Sequence, residues 1–250
     1  MDKIDVKLLY YTEPNRICQL ACEITRGANK FANVEALNHK VDDNPWDHDK
    51  VIKTLSLPHS KLSRFIDFTF AIVGASRRFL AQITTHHVGV SIMSGSLQYS
   101  NHAKQSLADK FVVPYSLFDQ PGFVVDKYLQ VQEASMTEYE ELVNNDGIDN
   151  DTAGYITPQS LRNCLLVKVN LEALRYIANQ RLCNRNTDET QYVVAQMVKL
   201  VCDNAGLPWE WFAPACYTGN CKEQKYCCGK PIRVDSADEF IERQFPLLFI

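Results

Sequence analysis

From Gln82 to Tyr99 the chain places Gln82, Thr85, His86, His87, Ser91, Ser94, Ser96, Gln98 and Tyr99 close together with little apolar filler. These amides, hydroxyls and imidazoles donate and accept hydrogen bonds. Such an inventory suits holding a cofactor or a polar ring. A segment that only has to fold needs fewer of them in a row. Gln82 lies one helical turn before His86, on the same face. Its amide presents one donor and one acceptor, as a pyrimidine edge requires, and a solvated helix residue is the plain alternative. His86 and His87 end a helix, where the dipole alone favours imidazole, so ligand contact and simple capping are both open readings. Neighbours on a helix point about 100° apart, which disfavours both facing one ligand. Arg181 follows an apolar helix face and precedes a polar run. Its guanidinium can bridge the polar edge of a ligand ring and stabilise charge there, or pair with a surface acid.

The elements that must position these groups are readable. Val6–Tyr11 is strand-like, and Arg16–Thr25 is a helix with Ile17, Leu20, Ala21 and Ile24 on one face. Residues 33–49 are polar and broken by Pro45, a loop or short helices, and residues 49–55 form another short helix. Phe68, Phe70 and Ile72 alternate with Asp67, Thr69 and Ala71, the pattern of a half-buried strand over residues 65–73. Gly74 is expected to turn the chain, and Ser76 to cap a helix running to about Thr85. A polar loop then follows. Residues 123–145 are helical and stop at Asn144-Asn145-Asp146-Gly147. A β-rich run covers residues 164–169, and Asn170 caps a helix reaching about Gln180. Asp188 opens another, which ends near Gly206 and Pro208. No repeat or linker is visible. The expected fold is α+β, a single domain over residues 1–250 with a central antiparallel-rich sheet flanked by helices.

With 250 residues, 46% hydrophobic and 22% charged, the chain can bury a sizeable core. A net charge of −4 gives no reason to expect nucleic acid or an anionic membrane. No apolar run approaches the roughly 20 residues of a membrane span. The N-terminal residues carry charges and no signal-peptide core, so a cytoplasmic location is expected. Nine Cys without a secretion signal reads as reduced thiols. Cys216, Cys221, Cys227 and Cys228 lie in a Cys-rich C-terminal extension at about residues 209–250. Their gaps are irregular and lack a C-x-x-C pair, so thiols are expected rather than metal. A zinc-stabilised interaction module is the non-enzymatic alternative. No Walker loop or G-x-G-x-x-G is present.

The segment resembles the flavin-dependent thymidylate synthases. Their F-T-F, S-R, Q-x-x-R-H-R and S-x-R-Y pattern is matched by Phe68-Thr69-Phe70, Ser76-Arg77, Gln82, Thr85-His86-His87 and Ser96-Leu97-Gln98-Tyr99. His59 stands where the family has a His before the strand, and residues 179–185 are similar to its L-R-x-x-N-R segment. Residues 216–230 look like the C-rich ending of some members, so the likeness spans roughly Lys7 to Lys230. The resemblance implies FAD, with methylenetetrahydrofolate and NADPH as co-substrates, a pyrimidine nucleotide (dUMP) as substrate, and a homotetramer with flavin at a subunit interface. It implies no protein nucleophile. Arg181 is then the catalytic group on the pyrimidine. Gln82, Ser94, Ser96 and Gln98 surround the nucleotide, and His59, Thr85, His86, His87, Asn170 and Arg185 lie near the flavin.

The departures fall in the same region. R-H-R appears as Thr85-His86-His87, or in another register as His86-His87-Val88. The Arg of S-x-R-Y is Gln98, a further nucleotide-binding Arg falls on Gly154, and A-Q-W-E-I-R appears as residues 186–191, N-T-D-E-T-Q. Each lost Arg–phosphate bond is normally worth about 1.5–3 kcal/mol. Arg77, Arg78, Arg162, Arg175 and Arg185 are the nearby cations that can compensate; otherwise the substrate has changed.

Overall fold

Alternating apolar residues build the central strands. The computed structural model describes residues 4–27, 30–57, 61–102, 110–219, 221 and 223–249. Strands β1 (Asp5–Tyr11), β2 (Asp67–Ser76), β3 (Val90–Ser94) and β4 (Arg162–Asn170) form one antiparallel sheet in the order β1-β2-β4-β3. Phe68, Phe70 and Ile72 of β2 and Leu165, Val167 and Val169 of β4 are buried on one face. The other face is open. Val73, Leu166 and Met93 are exposed there, and Ala71, Leu166 and Met93 pair in sequence across the sheet.

Helices α1 (Pro14–Arg26), α2 (Val34–Asp42), α3 (His48–Leu55), α4 (Arg77–Ile83), α5 (Gly122–Asn144), α6 (Asn150–Ala153), α7 (Leu171–Arg181), α8 (Asp188–Ala205) and α9 (Ala237–Gln244) complete the chain. Leu174 and Ile177 of α7 and Val194, Met197, Val198 and Val201 of α8 join the sheet's buried face in the main core. Trp209, Phe212, Phe240 and Phe245 join the same core. Burying each such side chain is worth about 1.5–3 kcal/mol, which ties the C-terminal segment to the sheet. A smaller cluster of Phe111, Met136, Tyr139, Ala153 and Leu161 packs under α5. Among the described residues no helix is long and apolar enough to cross a membrane.

The α+β single domain with an antiparallel sheet is as expected from the sequence. Three local features differ. Gly74 does not turn the chain; it sits inside β2 as a bulge at φ 83, where the register against β4 shifts. Only glycine adopts that conformation cheaply, so the strand continues through it. The polar loop after α4 contains strand β3, whose alternation is short and masked by serines at Ser91 and Ser94. Helix α9 was not anticipated, although Ser236 caps it through Glu239 N at 3.1 Å and Asp238 and Glu239 fill its first turn.

Candidate active site

The site starts at the joint between β2 and α4. Ser76 caps α4 by accepting from Phe79 N at 3.0 Å. Its own N–H and hydroxyl both donate to Glu189, the amide at 2.6 Å. Glu189 is 6% exposed at the start of α8. Burial pushes its carboxyl up, while the Ser76 bonds pull it back. The joint is thereby fixed to α8.

Helix α7 brings in the second half. Asn170 caps it, accepting from Ala173 N at 2.9 Å. Leu171, Leu174, Ile177 and Ala178 seat the helix in the core, and Arg181 ends it. There the guanidinium makes five bonds. Nε donates to His86 Nε2 at 2.9 Å, and Nη1 donates to Gln82 Oε1 at 3.0 Å and Asn186 Oδ1 at 3.2 Å. Nη2 donates to Gln82 O at 3.1 Å and Thr85 Oγ1 at 2.8 Å. Arg181 thus gathers Gln82, Thr85 and His86 from the end of α4, where free carbonyls attract a cation. His86 and His87 lie past the end of α4, so the helical 100° argument does not govern them.

A guanidinium only donates, so His86 Nε2 accepts and the ring is neutral with its proton on Nδ1. Burial first, then the positive charge of Arg181 and the neighbouring His87, lower the His86 pKa from 6.5. Tyr176 meets this ring edge-on at 6.0 Å. Burial also lowers Arg181, from a value too high for it to lose its charge near neutrality.

Arg181 stands on the wall between two cavities. One, of about 470 Å³, is lined by Thr85, His86, His87, Val88 and Tyr176. The other, of about 770 Å³, is lined by Asn179, Arg185, Asn186 and several Cys. Arg185 is held there by Tyr226, donating to its carbonyl and lying 6.0 Å from its ring. Asn170 borders the turn that carries His86 and His87. A Cβ on Gly89, at φ 72, would lie 2.5 Å from Asn170 Nδ2, so glycine alone lets this turn close on α7.

Ser94, Ser96 and Gln98 sit elsewhere. Ser94 ends β3, and Ser96 Oγ accepts from Gln98 N at 3.1 Å. Arg77, at the start of α4, donates to Gly95 O in the same loop at 3.1 Å. Arg181 stands at the other end of α4, about 10 Å away at the helical rise. Among the described residues, no hydrogen bond joins Ser94, Ser96 or Gln98 to the Arg181 cluster. His59 falls outside the described residues.

The other cations are occupied or displaced. Arg162 donates to Phe111 O at 3.1 Å and to Gly74 O at 2.9 Å. Arg175 lies 3.6 Å over Trp211, its pKa lowered by burial to about 10. Arg78 lines a third cleft, of about 790 Å³, with Tyr128 and Gln191. Gly154 supplies no side chain, and a Cβ there would meet Leu97 at 3.3 Å. Among the described residues, no three His, Cys, Asp or Glu side chains converge as a metal site.

Sequence reasoning missed Asn186, Tyr176 and the Ser76–Glu189 lock. Asn186 follows Arg181 by five residues in the polar run, a spacing that a turn folds back onto a helix end. Tyr176 and Glu189 carried no local signal, because their roles depend on packing between helices.

The arrangement is a neutral polar rim around one cation. Gln82 keeps its amide N–H groups and His86 its Nδ1–H for a ligand, and Arg181 supplies positive charge.

A profile of the family described as thymidylate synthase complementing protein matches residues 7–205. The flavin-dependent thymidylate synthase of Pyrococcus furiosus is 25% identical over 177 residues, 69% of this chain and 71% of that protein. That of Nitratidesulfovibrio vulgaris is 27% identical over 195 residues, 73% and 76% of the two chains. The crystal structure of thymidylate synthase X from Helicobacter pylori, with FAD and dUMP, superposes with a TM-score of 0.65 at 19% identity. It covers 81% of this chain and 96% of that one. A UMP/dUMP methylase from Streptomyces cacaoi, bound with 5-Br dUMP, gives 0.63 at 17% identity over 80% and 91%. The two structures share the fold. The profile spans most of the sequence, and on that ground the chain belongs to the thymidylate synthase complementing protein family.

Proposed function

We propose that the chain is a flavin-dependent methyltransferase converting dUMP to dTMP, with methylenetetrahydrofolate as one-carbon donor, NADPH as reductant and a cytoplasmic location. The observation that carries this reading is the Arg181 hub, which joins Gln82, Thr85 and His86 at one helix end. Arg181 would stabilise charge developing on the pyrimidine, and the Gln82 amide would meet its edge. His86, kept neutral, donates from Nδ1 rather than adding a second charge. No side chain is asked to attack the ring.

The cavity formed by Thr85, His86, His87, Val88 and Tyr176 fits a planar flavin ring by its chemistry: an imidazole N–H and an aromatic edge, while the Thr85 hydroxyl is committed to Gln82 O and Arg181. Arg185 lines the neighbouring cavity and Asn170 a separate cleft beside Gly89, and both, with His59, belong to the same proposed set. When bound, FAD supplies the hydride that completes the methyl group. At about 470 Å³ the cavity is at the small end for ligand sites, too small to enclose a whole dinucleotide.

A homotetramer is part of this reading. Within one protomer the length of α4 lies between Arg181 and the loop of Ser94, Ser96 and Gln98, and a site shared between subunits would bring the two sets onto one substrate. The open sheet face, with Val73, Met93 and Leu166, offers an apolar surface for that assembly. The test has two parts. Purified protein should take up FAD with the flavin absorbance bands and form dTMP from dUMP with both co-substrates. A colourless protein that fails to bind concentrated FAD would sink the proposal. Light scattering should give four subunits, and a flavin-bound monomer would sink the assembly.

One observation favours a second reading, in which the substrate is another pyrimidine nucleotide. Gln98 is neutral and Gly154 has no side chain, while Arg162 is spent on backbone carbonyls and Arg77 gives its Nη2 to Gly95 O. A nucleotide screen by flavin spectral shift separates the two.

A further inference from the structure

Residues 230–234 form neither helix nor strand, yet they are fixed at several points. Ile232 and Val234 are buried in the main core. Ile232 N donates to Cys216 Sγ at 3.5 Å, and Val234 O accepts from Trp209 Nε1 at 2.8 Å. Lys230 O accepts from Asn184 Nδ2 at 2.8 Å. Arg233, between the two buried residues, is exposed, and so is Lys230. Arg243 of α9 braces the segment: it pairs with Glu239, and its Nη1 donates to Arg233 O at 3.4 Å.

Lys230, Arg233 and Arg243 line one cleft of about 720 Å³, and no Asp or Glu is among its described lining residues. Glu239 answers Arg243. Among the described residues, no hydrogen bond or ion pair engages the Lys230 ammonium or the Arg233 guanidinium. In a chain of net charge −4, two unanswered cations in one concave site are a local excess that draws anions. The cleft adjoins the cavity of about 770 Å³ beside Arg181, sharing Cys228 and Pro231 with it. Gly219, on the wall of that cavity, has φ 95, and a Cβ there would lie 3.3 Å from Arg233 Nη2. The Arg233 guanidinium therefore stands where the two spaces meet.

We propose that Lys230 and Arg233, braced by Arg243, receive the anionic end of a co-substrate whose reacting end lies in the Arg181 cavity. The inference rests on the flavin-dependent methyl transfer proposed above. Both co-substrates of that reaction are long molecules that carry negative charge far from the reacting carbon. NADPH has a ribose 2′-phosphate, and methylenetetrahydrofolate ends in glutamate carboxylates. A guanidinium takes either oxyanion through two parallel N–H bonds, and an ammonium beside it adds a point charge.

The experiment titrates the flavin-loaded full chain by calorimetry with two ligand pairs. NADP⁺ against NAD⁺ tests the 2′-phosphate. Triglutamyl against monoglutamyl tetrahydrofolate tests the carboxylates. The more anionic member of at least one pair should bind about tenfold tighter or better, as a charge-assisted hydrogen bond allows, and that pair names the co-substrate. The preference should shrink as salt is raised. Arg233→Ala should abolish it, and Arg233→Lys should restore part of it. Neither variant should move the thermal midpoint or the flavin spectrum, because Ile232 and Val234 carry the packing here. Equal affinities within both pairs, or a preference that survives Arg233→Ala combined with Lys230→Ala, would overturn the proposal. Failure of the parent reading is distinct and removes both: FAD is not taken up, and no member of either pair binds.

Discussion

Arg181 Nε donates to His86 Nε2 at 2.9 Å, so the residue that charges the site also decides the tautomer of its imidazole. His86 cannot accept a proton at Nε2 without losing Arg181. The bond and the suppressed basicity are two views of one arrangement.

This relationship sets a pH dependence. The His86 pKa lies below its ordinary 6.5, so the folded chain binds a proton there less readily than the unfolded one. Its contribution to stability is complete above about 6.5 and is lost as pH falls through that value toward the depressed one. An NMR titration of the His86 ring should show the lowered midpoint. Arg181→Ala should raise it, with burial leaving part of the shift in place. A wild-type midpoint above 6.5 would mean that the ring is not held as an acceptor.

Arg181→Ala should abolish turnover while the protein still folds. The variant loses five hydrogen bonds at the surface end of α7, and a stability loss of about 1–3 kcal/mol is expected. Arg181→Lys should recover little activity, because an ammonium cannot span acceptors from Gln82, Thr85, His86 and Asn186 in one plane. Steady-state rates alongside urea unfolding separate the two effects. Full activity in either variant would remove Arg181 from the chemistry.

Ser76→Ala removes an N-cap and the hydroxyl donor to buried Glu189 at once. The expected cost is about 1–3 kcal/mol in chemical denaturation. Glu189→Ala should cost at least as much, since it strands the buried Ser76 donors. If both variants unfold at the wild-type midpoint, the β2–α4 joint is held by packing alone.

Gln98→Arg should tighten dUMP by about 1–3 kcal/mol and leave deoxyuridine unaffected, because only the former has a phosphate to pair. Gly154 has helical φ −55 and ψ −24, so Gly154→Ala requires only a small shift of Leu97 and should change stability little. Calorimetric titration of the two ligands is the measurement. Equal gains for both would place Gln98 away from the phosphate.

The sheet and its flanking helices were legible because their signals are local. Phe68, Phe70 and Ile72 alternate, Ser76 and Asn170 cap, and Gly206 ends α8 in the left-handed conformation. Short β3 was not, since Ser91 and Ser94 dilute a pattern only five residues long. Within the site, Gln82, Thr85, His86 and Arg181 were nominated by type and resemblance, and the structure brings them together. Nothing in the sequence announces that they bond to one another, because α4 and α7 are about 95 residues apart in the chain and meet only through the core. Asn186 and Tyr176 depend on the same meeting.

The Gly74 bulge makes β2 sensitive to length in a way that its composition does not reveal. Before it, Val73 pairs with Cys164; after it, Ala75 pairs with Asn163, so one residue is skipped in the ladder. Removing Gly74 would restore an unbroken ladder in which Ala75 still faces Asn163 and Ser76 still faces Arg162, so the later residues keep their side of the sheet and the strand loses its local bend. Arg162 would lose the Gly74 carbonyl its Nη1 now holds. A single-codon deletion at this point should therefore keep the strand paired while re-aiming the start of α4, so the extra residue acts as a hinge setting, fixing the angle at which the strand hands the chain to the next helix.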